Sequence, residues 1–175
     1  MANSIITNFC IGIEQDRKTI SFISKAAARE KYKGKVPEAE LEAWMEKTFN
    51  DHALRAELNN ISNQHLVVYV NDEIAGYARI TTKGERPAIF DGKRIVRIAD
   101  FAVLQKFDET EAKQRLFEKC LHLCNTQQTV WISEFEGHPD LDFFSGYGFV
   151  KDPAITGTNE LGLPMVYLVK AHRGM

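Results

Sequence analysis

The stretch that decides the fold runs from Val130 to Phe149. Val130-Trp131-Ile132-Ser133-Glu134 is a short, mostly apolar run and reads as a strand. Gly137-His138-Pro139 follows, and then Asp142-Phe143-Phe144-Ser145-Gly146-Tyr147-Gly148-Phe149 closes the segment. That second run reads as a compact helix over Asp140–Tyr147 leaving through Gly148, the residue type that ends a helix, into a further strand over Phe149–Lys151.

Working outward from it, Glu111–Cys124 is a helix with Leu116, Cys120 and Leu123 on one face, and Ile95–Val103 is a strand. Leu66–Val70 and Ile74–Thr81 are two more strands. They meet around Asn71-Asp72, residue types that accept the left-handed backbone of a tight hairpin. Ser4–Ile13 suits a first strand and Glu14–Tyr32 a helix stopped by Gly34. Pro37 opens a second helix carrying Leu41, Trp44, Met45 and Phe49. The polar connection Glu57–Ser62 leads from it to the hairpin, Lys83–Gly92 is a loop, and Met165–Lys170 is the last strand. The order is strand, two helices, three strands, helix, strand, helix, two strands, an α/β pattern around a mixed sheet, all in one domain spanning 1–175.

Bulk properties narrow the function. The 175 residues are 44% apolar, enough to bury a core without disulfide or metal. A net charge of −2 and a pI near 6.2 argue against a non-specific nucleic-acid or membrane-surface partner. No run approaches the roughly 18 apolar residues of a membrane span. The odd cysteine count (Cys10, Cys120, Cys124) reads as buried thiols of a reducing cytosol, and no secretory leader is seen, so a cytoplasmic location is expected. The five histidines, 52, 65, 122, 138 and 172, are scattered without metal spacing, and no nucleophile elbow is present.

The close at Phe143–Phe149 resembles the "FYEKLGF" ending of the GNAT superfamily of N-acetyltransferases, and the element order is the order of that fold. Ile11–Tyr32 is similar to the family's opening, and Gly162–Lys170 (GLPMVYLVK) to its closing strand. Leu41–Ile80 is similar to the bacterial spermidine/spermine acetyltransferase branch. The resemblance implies a mixed, mostly antiparallel seven-stranded sheet with helices on both faces. It also implies acetyl transfer from acetyl-CoA to a primary amine of a small molecule by direct attack, and it leaves a homodimer open.

It further implies a glycine-rich turn after the fourth strand, where backbone N–H groups and a helix start hold a diphosphate. Here the turn reads Val103 to Gln114 without a glycine. Asp108 stands where the family has Gln or Arg, and Glu109, Glu111 and Lys113 stand where small residues are usual. Asp108 and Glu111 have the spacing of a capping box, which suits the helix itself, and carboxylates there repel a diphosphate. Lys106, Lys113 and Arg115 supply the compensating charge, and the strand backbone of Phe101–Val103 remains for the pantetheine arm. Phe144 occupies the place of the family's acid Tyr and has no proton to give, so the leaving thiolate takes its proton from water, from the substrate ammonium or from Tyr147, the side-chain candidate for the acid. Asp100, a carboxylate in an apolar strand, is the candidate base, either desolvated or paired with Arg97 or another sheet cation. Glu134, Glu136 and His138 follow the fifth strand and are the candidates for binding the amine, with His138 read as an exposed loop residue. The rival readings are a non-catalytic binding protein that has lost the cofactor turn, and a transferase using an acyl carrier protein as donor.

Overall fold

A computed structural model describes residues 2–171; His172 lies outside them. The chain builds a seven-stranded sheet of β1 (Ile5–Cys10), β2 (Asn63–Val70), β3 (Glu73–Thr81), β4 (Ile95–Val103), β5 (Thr129–Phe135), β6 (Val150–Lys151) and β7 (Met165–Ala171). The strand order is β1-β2-β3-β4-β5-β7-β6, and only the β4–β5 pairing is parallel. Asn71 and Asp72 both take positive φ, 50° and 66°, as the β2–β3 hairpin requires.

Alternation along the strands splits the core in two. Leu66, Val68, Ile98, Val130 and Ile132 face α4 (Ala112–Leu123) and α5 (Asp140–Gly146), where Leu116, Phe117, Cys120 and Phe144 complete one cluster. Val67, Tyr77 and Phe135 face α1 (Glu14–Tyr32), α2 (Glu38–Thr48) and α3 (Asp51–Asn59), which contribute Ile20, Ile23, Met45 and Leu54. Where β4 and β5 meet their helices, Phe101, Leu116, Val130, Ile132 and Phe149 are buried, and Val103, at the end of β4, is half-buried. No helix among the described residues is long and apolar enough to cross a membrane.

Two features depart from the sequence reading. The segment before the hairpin holds a third helix, α3, rather than a mere connection. The Asn50 side chain accepts from the Ala53 amide at 2.8 Å, a regular N-cap, and Leu54 and Leu58 are buried. The capping box at α4 does not form. Thr110 Oγ1 accepts from the Ala112 amide at 3.2 Å, while Glu111 turns away to Arg115 and Asp108 ends the preceding 3-10 turn, Gln105–Phe107.

Candidate functional site

β4 and β5 pair only at Ile95–Thr129, Val96–Val130 and Arg97–Trp131. Beyond these, β4 stays with β3 as far as Val103, and β5 stays with β7 as far as Phe135. The two strands part, so the β4 edge from Ile98 to Val103 is without a strand partner on the β5 side. A cleft of about 530 Å³ opens at this parting, roofed by the α1 and α2 rings Tyr32, Trp44 and Phe49.

A bulge sets the floor of the cleft. The β3–β4 register shifts between Arg79 and Ile80, with Ala99 as the extra residue, since Ile80 pairs Ile98 and Arg79 pairs Asp100. The spare residue turns Asp100 away from the face of Ile98 and onto the cleft side, opposite Arg79. Arg79 Nε donates to Asp100 Oδ2 at 2.6 Å, and its Nη1 lies 3.3 Å from Glu57 Oε2. Burial alone would raise the Asp100 pKa; the Arg79 charge and hydrogen bond outweigh it and hold the carboxyl below its ordinary value. Arg79, not Arg97, is thus the cation expected beside Asp100. Arg97 instead stacks over Trp131, 4.4 Å from the ring centroid, and donates through Nη2 to Ser133 Oγ at 2.8 Å.

A chain of polar groups crosses the parting. Glu134 lies on β5 past the last β4 pair and is 6% exposed. Lys31 of α1 donates to its Oε1, and His138 Nε2 stands 3.2 Å from its Oε2. Burial raises the Glu134 pKa, an effect the Lys31 charge only partly offsets. His138 is not an exposed loop residue: its side chain is 10% exposed, its Nδ1 accepts from the Asp140 amide at 2.9 Å, and burial pushes its pKa down to about 4. It is a neutral imidazole whose remaining proton sits on Nε2, facing Glu134. Asp140 Oδ1 then takes the Lys113 ammonium at 2.9 Å.

The other candidates fall outside this chain. Glu136 is exposed and does not line the cleft. Tyr147 is half-buried against Phe117 and Phe143, and its hydroxyl donates to Glu118 Oε1 at 3.3 Å, away from the cleft. Phe101 and Phe144 do line the cleft, packed edge to face at 5.7 Å. The sequence reading missed Lys31, Arg79 and Glu57 as cleft residues. The uneven spacing of apolar Ile98 and Phe101, three apart in a strand with period two, was the visible sign of the bulge.

A profile of the GNAT acetyltransferase domain matches residues 26–167. This chain belongs to the GNAT acetyltransferase family. Solved GNAT structures share its fold. The PaiA N-acetyltransferase of Thermoplasma acidophilum, solved in complex with coenzyme A, superposes with a TM-score of 0.77 at 11% identity over 97% of this chain and 99% of its own. A GCN5-related N-acetyltransferase from Rhodopseudomonas palustris gives 0.69 at 14% identity over 98% and 97%. A probable acetyltransferase of Staphylococcus epidermidis gives 0.67 at 15% identity over 97% and 100%.

An acetyl-CoA would meet two kinds of surface here. The unpaired β4 edge beside the cleft fits an amide-bearing pantetheine arm. For a diphosphate there is the start of α4, whose second and third residues, Lys113 and Gln114, have first-turn amides that the helix itself leaves free. The three basic side chains around it are already paired: Lys106 with Glu73, Arg115 with Glu111 at 2.9 Å, and Lys113 with Asp140. The Gln105 amide is also taken, by Glu30 Oε1 at 2.8 Å. The residues fit the group once Lys113 changes partner.

Proposed function

We propose that this protein transfers an acetyl group from acetyl-CoA to a primary amine of a small molecule, polyamine-like in joining positive charge to an apolar stem. The observation that carries the proposal is the parting of β4 and β5 beside a cleft lined with both carboxylates and rings. Aromatic faces suit methylene stems and cations, and carboxylates suit an ammonium. When bound, the thioester supplies the acyl group. PaiA, a protein of this fold, was solved with coenzyme A, which supports the reading.

The chain's own residues divide the remaining work. Asp100 is kept ionised by Arg79, so it attracts and orients the ammonium better than it takes a proton. Glu134, whose pKa is raised, is the carboxylate suited to receive the proton that the amine must lose. Lys31 and His138 fix its two oxygens in place. Phe144 contributes shape but no proton, so the leaving thiolate takes its proton from water or from the substrate ammonium.

A second reading, binding without transfer, is favoured by the absence of glycine from the turn after β4 and by the prior pairing of every cation there. Thermal shift with acetyl-CoA separates the two. A ligand at 100 times its Kd adds about 2.7 kcal/mol, so a rise in Tm together with CoA release from an amine panel at pH 6–9 supports transfer. No shift and no release with any amine supports binding alone.

A further inference from the structure

The Lys113–Asp140 pair joins the first turns of two helices that otherwise meet through rings. Lys113 is the second residue of α4 and Asp140 the first of α5. The contact is short, 2.9 Å, and partly buried, with 28% of the lysine and 10% of the aspartate side chain exposed. Asp108, 4.0 Å from the same ammonium, is a second and looser carboxylate partner. The two other basic groups of this turn sit in exposed pairs, which exchange partners at little cost. Lys113 is different, because losing its partner leaves Asp140 as a buried, uncompensated carboxylate.

We propose that this pair is a latch over the donor seat: Lys113 is the cation that meets the diphosphate, held back by Asp140, and the nucleotide enters only by taking the lysine from the aspartate. The inference rests on the acetyl-CoA reading for the identity of the anion. Two effects of Asp140 then act together against the donor. It occupies the lysine, and it holds a negative charge 2.9 Å from the ammonium that the anion would have to approach. A lysine in place of glycine on that turn is therefore a working substitute for a glycine cradle, with its availability set by one carboxylate on the neighbouring helix.

Titration calorimetry with free CoA and, separately, with pantetheine tests the latch without reference to turnover. Asp140→Asn keeps the side-chain volume, frees Lys113 and removes the charge, so CoA should bind about tenfold tighter or more. Asp140→Ser, which keeps a helix-start residue at the position, should do the same if the asparagine variant folds poorly. Lys113→Gln should bind CoA no tighter than the parent, since it removes the latch and the diphosphate's partner together. Pantetheine, which has no diphosphate, should bind parent and Asp140→Asn alike. Unchanged or weaker CoA binding in both Asp140 variants, or no CoA binding by any of the proteins, overturns the latch. So does an equal gain for pantetheine, which would mean a general opening of the groove. CoA that binds Asp140→Asn tightly while no amine is acetylated would sink the transferase reading and leave the latch standing.

Discussion

The two faces of the sheet solve different problems with the same strands. On the α1–α3 face, Tyr32, Trp44, Arg79, Asp100 and Glu134 surround an open cleft, and the charged side chains there are paired and partly exposed. On the α4–α5 face, Phe101, Phe117, Phe143, Phe144 and Tyr147 pack ring against ring, and an ion pair locks the helix starts. The face that would receive an amine is built to admit a ligand. The face that would receive the donor is built to stay shut.

Several measurements would break or sharpen that contrast. The largest effect should come from the shared strand. Val130→Asp places a charge at a position with no exposure, on the α4–α5 face, and an unpaired core charge costs several kcal/mol, enough to unfold the protein. Circular dichroism showing a Tm within a few degrees of the parent would mean that the closed face is not a packed core. Next, Glu134→Gln should lower kcat by roughly 10² to 10⁴ and remove the acid limb of the pH–rate profile, as for a positioned base. Asp100→Asn should act mainly on KM. If the two variants exchange behaviours, the proton is handled at Asp100 and the contrast between the carboxylates is misassigned.

Acid should weaken the fold through two imidazoles. His65, on β2 opposite Arg79, and His138 are each lowered by burial to about 4 from an ordinary 6.5. Below pH 6.5 the unfolded chain binds protons that the fold refuses. Stability therefore falls as pH drops through 6.5, and the loss is complete near 4, about 3 kcal/mol for each residue. A Tm that stays flat from pH 7 to 4.5 would show that the imidazoles are not held neutral. A smaller effect, about tenfold, is expected from changing Asp108, Glu109 and Glu111 together to Gly, Gln and Gly, which should tighten CoA by removing exposed carboxylates near the α4 start. Unchanged calorimetric affinity would assign the closure to Lys113–Asp140 alone. The smallest is Tyr147→Phe, within about 0.5 kcal/mol of the parent in stability and near parental in turnover, because its hydroxyl points to Glu118 at the surface.

The fold was largely legible because its signals are local. Periodicity marked the strands, Asn71-Asp72 the hairpin, and Gly148 the exit after α5. The site was legible only in part, because it is assembled from residues distant in sequence. Lys31 and Glu134 are 103 positions apart, and nothing near either announces the other. Asp100 was recognisable as an anomalous acid, whereas its partner Arg79 follows only from the β3–β4 register. His138 was misread as exposed because Pro139 and Gly137 suggest an open loop. Phe135 and Asp140 instead hold the ring inward. α3 escaped notice because its nine residues carry only Leu54 and Leu58 as buried anchors.

Ala99 gives this chain an uncommon sensitivity to length. As the supernumerary residue of β4, it sets the phase of everything after it in the strand. Were it instead paired opposite Arg79 in an unbroken ladder, the Asp100 carboxylate would swing in among the rings of α4 and α5, and the Phe101 ring would turn to the opposite face. A methyl group with no chemistry of its own therefore decides which side of the sheet is charged. Loss of Ala99 itself would leave Ile98 opposite Ile80 and Asp100 opposite Arg79, whereas the gain or loss of one residue beyond it would invert the faces that follow.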